Sequence, residues 1–482
     1  MNKLTSLAVA VIATSSMLSA AQAVTVTPNF GGYVRAGLDH AQHGKYDSWN
    51  KTKVGRFGNE SDIWSELALG ASITGPSDAI FGVQTRLAYS NDAKAEGKSS
   101  QVYLDEVYGT VKNVFSFSKD ATIWAGKRYY HREQTEIMDY KWYQIEGIGA
   151  GIEYIDVGPG KLSFAWFGRN DANFSYKQRD NVQYAKDITD PSDPNDPKKG
   201  NLTNNYWDDN DNSFYKTDIE LEKYDLEYGM TLWEGSWLNL RGTLLRPQQD
   251  DNNYMELVDK PKISNTKILA ASLGTSYGIG YCTTVAQYIG GPTASSTFGN
   301  GSYIDYWDKA INLNIYNLEK FNGIHRWQFL NYGDMKIGDF GLAHSLYYTV
   351  ASGFEGTAED KESDKAFSFA VRPYYKLTDV TKIAAELGFF TETTKYQNGE
   401  SKNNKGQKVT LAYVLSPDAG DWKSRPELRF YVTYLHSNDV EALENSPSQD
   451  MGVTVHYKDG TKKYLAPRDN QLIVGAQLEA WW

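Results

Sequence analysis

Period-two alternation, repeated in segments of about ten residues, constrains this chain more than any other feature. In the terminal "LIVGAQLEAWW", Leu472, Val474, Ala476, Leu478, Ala480 and Trp482 share one face, and Ile473, Gly475, Gln477, Glu479 and Trp481 share the other. "NFGGYVRAGL" sets Phe30, Val34, Ala36 and Leu38 against Tyr33, Arg35 and Gly37, and "DIWSELALGASI" sets Ile63, Leu67, Leu69, Ala71 and Ile73 against Asp62, Trp64 and Glu66. "KIAAELGFF" (382–390) and "ELRFYVTY" (427–434) repeat the pattern. One face is apolar throughout, while the other mixes charges with aromatics. A soluble sheet that buried the apolar face would leave a tryptophan in bulk water at the very terminus. Turned to lipid, the same face is satisfied, the mixed face lines a watery lumen, and the segment length suits a tilted bilayer span.

The connections point the same way. Short turns such as "TGPSD" (74–78), "GPG" (158–160), "WEGSW" (233–237) and "GIG" (278–280) alternate with long polar loops at 39–60, 171–214, 291–323 and 439–467. A soluble sandwich has no reason to place its long loops on every second connection, whereas a membrane barrel does. The expected fold is therefore all-β: a transmembrane antiparallel β-barrel of about 18 strands. Residues 1–23 read as a secretory signal peptide ending in Ala21-Gln22-Ala23, which leaves a single barrel domain over 24–482. No later run approaches the length of a spanning helix. The tract 186–213, dense in Asp, Asn and Pro, reads as one long surface loop. The formal charge of −11 becomes −12 without the leader, which holds one lysine and no acid. An acidic chain is a poor partner for nucleic acid. With Cys282 as the sole cysteine, no internal disulfide is available.

By the alternation, Tyr33, Trp64 and Trp481 face the lumen, each two residues from Arg35, Glu66 or Glu479. A pyranose has a C–H face that stacks on an aromatic ring and a rim of hydroxyls that bond to charged groups. Rings flanked by charges would serve such a solute, although the same rings could simply fill space among barrel side chains. Catalysis is not expected: His40, His43, His131, His325, His344, His436 and His456 stand in no nucleophile or metal-ligand motif. His40 and His43, spaced by three, are weak evidence for a metal. No cofactor is implied.

"GRFGNESDIWSELALG" (55–70), the block 121–165, "VRPYYKLTDVTKIAAELGF" (371–389), "WKSRPELRFYVTY" (422–434) and "GAQLEAWW" resemble the maltoporin family of carbohydrate-specific outer-membrane porins. The resemblance implies a homotrimer in the outer membrane of a Gram-negative bacterium. Each barrel would be narrowed by an inward-folded third loop (about 131–148), and oligosaccharides would diffuse along a path of lumen aromatics. Carried over by position, the aromatic path comprises Tyr33, Trp64, Tyr281, Trp422 and Trp481, with Lys423 the rival of Trp422. The polar track comprises Arg35, Arg56, Glu66, Arg132 and Asp139.

Three positions depart from the family pattern. "NDAKAEGKSS" (91–100) lacks the tryptophan that the family's second loop lends to a neighbour, and a family arginine falls near Leu104 or Asp105. The family's constriction tyrosine aligns with Lys141, with Tyr140 or Trp142 the alternative by a one-residue shift. A lysine there would make the channel less cation-preferring than its net charge implies and would favour anionic or phosphorylated sugars. The expected function is a sugar-selective channel for maltose- or maltodextrin-like solutes. The alternatives are a porin for sucrose or β-glucosides, or a general, weakly anion-preferring porin.

Overall fold

The computed structural model describes residues 24–42, 48–91, 101–168, 172–179, 214–249, 264–295, 322–354, 361–438, 456–458, 461–463 and 469–482. The leader, most of 91–100 and the tract 186–213 lie outside the described residues.

Within the described residues, period-two segments form β1 (Thr25–Ala41), β2 (Ile63–Thr74), β3 (Ile80–Asn91), β4 (Gln101–Lys112), β5 (Thr122–Thr135), β6 (Tyr140–Val157) and β7 (Gly160–Phe167, continued by Ala172–Arg179). There follow β8 (Phe214–Trp233), β9 (Ser236–Gln249), β10 (Thr266–Tyr277), β11 (Gly280–Gly290), β12 (His325–Ile337) and β13 (Phe340–Ser352). The wall ends with β14 (Lys361–Lys376), β15 (Thr381–Tyr396), β16 (Ser401–Leu415), β17 (Glu427–Ser437) and β18 (Asn470–Trp481). Both pieces of β7 pair with β8, so they count as one interrupted strand. Each strand pairs antiparallel with its neighbours, and β18 returns to β1 with Trp481 opposite Tyr33, closing the barrel.

The two faces sort as the alternation requires. Phe30 is 65 % exposed, Leu38 76 % and Leu411 58 %, whereas Glu386, Lys408 and Arg429 are buried inside. The exposed apolar band is what lipid covers in a barrel of this kind. Trp233, Tyr277 and Tyr375 beside the turns, with Trp327 and Tyr348 nearer the loops, are exposed at the two ends. Those are the depths at which interfacial aromatics sit. No helix among the described residues is long and apolar enough to cross a membrane.

The length asymmetry of the connections holds with exceptions. At the turn end, 158–159, 234–235, 278–279 and 338–339 are two-residue links, but 416–426 is long. At the loop end, 397–400 and 136–139 are short. The long turn has a physical reason: it folds inward, burying Trp422, and its Gly420 carbonyl accepts from the Tyr374 hydroxyl at 3.0 Å.

From the loop end, two further described segments enter the barrel. The first follows β1 and contains one short helical turn, α1 (Lys51–Val54). Wall side chains grip its backbone: Glu386 Oε1 accepts from Phe57 N at 2.9 Å, Lys408 Nζ donates to Phe57 O at 2.7 Å, and Thr433 Oγ1 donates to Gly58 O at 2.8 Å. Trp49 and Phe57 are buried as well, Trp49 packing on Phe390 at 5.9 Å between ring centroids.

The second segment is the β5–β6 hairpin. β5 pairs with β4 only up to Lys127, and β6 with β7 only from Gly149, yet β5 and β6 stay paired to Thr135 and Tyr140. The departure falls at Gly126, whose φ of +133° favours glycine and where a Cβ would collide with the Val107 carbonyl oxygen. The hairpin crosses the lumen. At its tip the Ile137 carbonyl accepts from Arg56 N at 3.0 Å, and Tyr140 stacks on Tyr347 of β13 with centroids 4.4 Å apart.

Candidate functional site

The first loop, the β5–β6 hairpin and the 416–426 turn together enclose a lumen cavity of about 660 Å³. Its lining takes in ten of the sequence-derived positions: Tyr33, Arg35, Arg56, Trp64, Glu66, Arg132, Asp139, Lys141, Trp422 and Trp481. Tyr281 stands beside this lining, its hydroxyl 3.2 Å from Lys423 Nζ. Trp422 and its rival Lys423 both line the cavity, so the inward turn brings in both side chains. Of Tyr140, Lys141 and Trp142 on the hairpin, Lys141 lines the cavity, while Tyr140 and Trp142 are buried.

Two carboxylates organise the cavity's charge. Glu60, 1 % exposed, meets Arg35 Nη1 at 3.1 Å, Lys51 Nζ at 2.9 Å and Arg56 Nη2 at 2.9 Å. Burial alone would push its carboxyl up, but Arg35, Arg56 and Lys51 hold it well below the usual carboxylate range. Glu479 takes Arg56 at 2.9 Å, Arg425 at 2.8 Å and Arg429 at 2.5 Å, and accepts from the Tyr33 hydroxyl at 2.9 Å. Against the same burial penalty, Lys51 and Arg56 lower the Asp139 carboxyl. Such a network costs desolvation and contributes little net stability, but it fixes where each guanidinium points.

The rings are interleaved with these charges. Trp64 Nε1 donates to Glu66 at 2.8 Å, and Glu66 also holds Arg86 at 2.7 Å. Tyr33 and Trp481 lie nearly parallel at 6.5 Å, with the Arg425 guanidinium 4.0 Å from the Trp481 ring centroid. Trp422 donates its indole N–H to Asp334 at 2.9 Å and sits under Arg372 and Lys423 at 5.6 and 5.3 Å. Lys423 also reaches Glu136 of the hairpin tip at 3.0 Å, tying the long turn to the segment that crosses the lumen.

At the position of the family arginine, Leu104 is exposed on the outer face. The inward neighbour is Glu106, which binds Arg86 Nε at 2.6 Å. Sequence reasoning missed Arg86, Arg372 and Arg429, although each falls on the inward face of its strand and alternation could have found it. Lys51 and Arg425 lie in connections, where no periodicity points to them. No group of His, Cys, Asp and Glu able to hold a metal occurs among the described residues. His131 instead joins hairpin to wall, with Nε2 2.8 Å from Glu227 of β8.

The sequence profile of the LamB porin family matches residues 29–482. Maltoporin 1 of Klebsiella pneumoniae is 30% identical over 490 aligned residues, covering 99% of this chain and 97% of that protein. Maltoporin 2 of Yersinia pseudotuberculosis is 29% identical, covering 94% of each. Among solved structures, the outer-membrane protein OmpT of Vibrio cholerae aligns over 95% of this chain and 100% of its own, at 14% identity and a TM-score of 0.39.

Proposed function

The chain belongs to the LamB porin family, an outer-membrane β-barrel channel rather than an enzyme, and from that premise we propose that it conducts oligosaccharides selectively along its lumen aromatics. One observation carries this reading. Aromatic rings and hydrogen-bonding charges from distant parts of the chain converge on a single cavity narrowed by the β5–β6 hairpin. A bare-ion pore gains nothing from exposed rings, but a pyranose stacks on them while its hydroxyls exchange partners among Arg and Glu. Trp64 and Trp481 are the stacking faces, Tyr33, Tyr281 and Trp422 extend the path, and Arg35, Arg56, Glu66, Arg132 and Asp139 form the polar track. Lys141 stands at the constriction.

The protein is further proposed to work as a homotrimer. The outer half of β4, from Gln101 to Glu106, has no strand partner on its β5 side among the described residues. An open edge of this sort is normally covered. An SDS-resistant species of three chains that collapses to one on boiling is the expected result.

The selective reading is tested by liposome swelling with maltose-series sugars, sucrose, β-glucosides and monosaccharides. One class should enter faster than its size predicts. Permeation ordered by size alone would refute selectivity.

A further inference from the structure

The cavity surface carries charge of the opposite sign to the chain. The protein's net charge is −11, yet ten Lys and Arg side chains line the cavity against four carboxylates. The balancing acids stand behind this layer: Glu60, Glu386 and Glu427 are each no more than 3 % exposed and are absent from the lining. A solute in the lumen therefore meets N–H donors first.

The rings present the same chemistry. Arg425 lies over Trp481, Lys423 over both Trp422 and Tyr281, and Arg372 over Trp422. A neutral sugar must share these faces with cations that it leaves partly desolvated. A sugar bearing an anionic group could stack on the ring and pair with the cation beside it.

Arg132, on the inward hairpin, differs from its neighbours. Among the described residues it lies over the Tyr129 ring at 5.2 Å and within electrostatic reach of the Glu66 carboxylate, but it forms no direct ion pair there. Its planar fork of donors is thus available to a carboxylate or sulfate oxygen pair.

We propose that the preferred solutes are oligosaccharides carrying an anionic group, a carboxylate or a sulfate ester, and that Arg132 receives this group. The inference rests on the sugar-channel reading and narrows its substrate class. Cation excess in a narrow lumen concentrates anions, and a guanidinium adds bidentate geometry that a diffuse field lacks.

The test uses the purified full-length channel in planar bilayers, with maltotriose, trigalacturonate and a sulfated trisaccharide as blockers of ion current. In about 0.1 M KCl, trigalacturonate should block at a concentration about tenfold lower than maltotriose, and this advantage should shrink in about 1 M KCl. The sulfated sugar separates the two anionic sources by its rank against trigalacturonate. Arg132→Gln should lower the trigalacturonate-to-maltotriose affinity ratio at least fivefold, while Arg132→Lys retains part of it. Should the glutamine variant fail to assemble, the reversal potential of the wild-type channel under a KCl gradient still decides, and it should show anion preference. Maltotriose block without a charged-sugar advantage would overturn this inference and leave the sugar channel standing. Block by neither would overturn both.

Discussion

Trp64 lines the lumen cavity while Glu66 holds its indole N–H, so Trp64→Ala removes a ring proposed to stack on sugar and leaves Glu66 still bound to Arg86. The half-blocking sugar concentration should rise about fivefold, the equivalent of about 1 kcal/mol, with no change in barrel assembly. An unchanged value would take Trp64 off the path. Lys141→Tyr is a sharper probe, since it exchanges a cavity cation for a neutral ring. The reversal potential under a salt gradient should move toward cation selectivity and neutral-sugar block should tighten. If neither quantity moves, Lys141 is a bystander on the hairpin. Tyr33, Trp64 and Trp481 were legible from alternation alone, because in a strand the neighbour on the other face declares each side chain's direction. Lys51 was not legible, since its place depends on a loop backbone gripped by residues more than three hundred positions away.

The first loop is held by wall residues rather than by its own sequence, and this makes it separable from the barrel. Glu386 accepts from Phe57 N and also pairs with Lys408 and Arg372, so Glu386→Gln should loosen the loop and raise single-channel conductance. Thr433→Val, which deletes one bond to Gly58 O, should do so more weakly, at a cost of about 1 kcal/mol. Conductance at wild-type level in both variants would show that the loop does not limit the pore. Acid should release the same loop only late. The cations around Glu60 hold its carboxyl below the ordinary 4.5, so their contribution is fully present above that value and is lost as pH falls through the lower folded one. Conductance should be flat from about pH 8 to about pH 5, and a rise within that window would contradict the Glu60 clamp. Strand order and facing were legible at this scale because a barrel repeats one rule. The long inward turn at 416–426 was not, because its length reflects a cavity that only closure creates.

Closure of the whole barrel depends on its last strand, and the two terminal tryptophans divide that work. Gly32 and Trp482 exchange backbone hydrogen bonds of 3.2 Å in each direction, and the Trp482 ring rests near Phe30 at 5.9 Å on the lipid side. One residue earlier, Trp481 faces inward over Tyr33 and under Arg425. Trp482→Ala therefore strips an interfacial ring from the seam where the ends of the chain meet, and should lower the yield of folded, heat-modifiable barrel in the outer membrane. The strand pairing itself survives, so the molecules that do assemble should bind sugar normally. Trp481→Ala should assemble at wild-type yield and lose sugar affinity, because its outward neighbours are untouched. The reverse pattern would mean that β18 pairs one residue out of register, since a slip of one position exchanges every lumen side chain with a lipid-facing one. Measuring yield and block on both variants thus tests the register of the closing strand and the direction of the sugar path together.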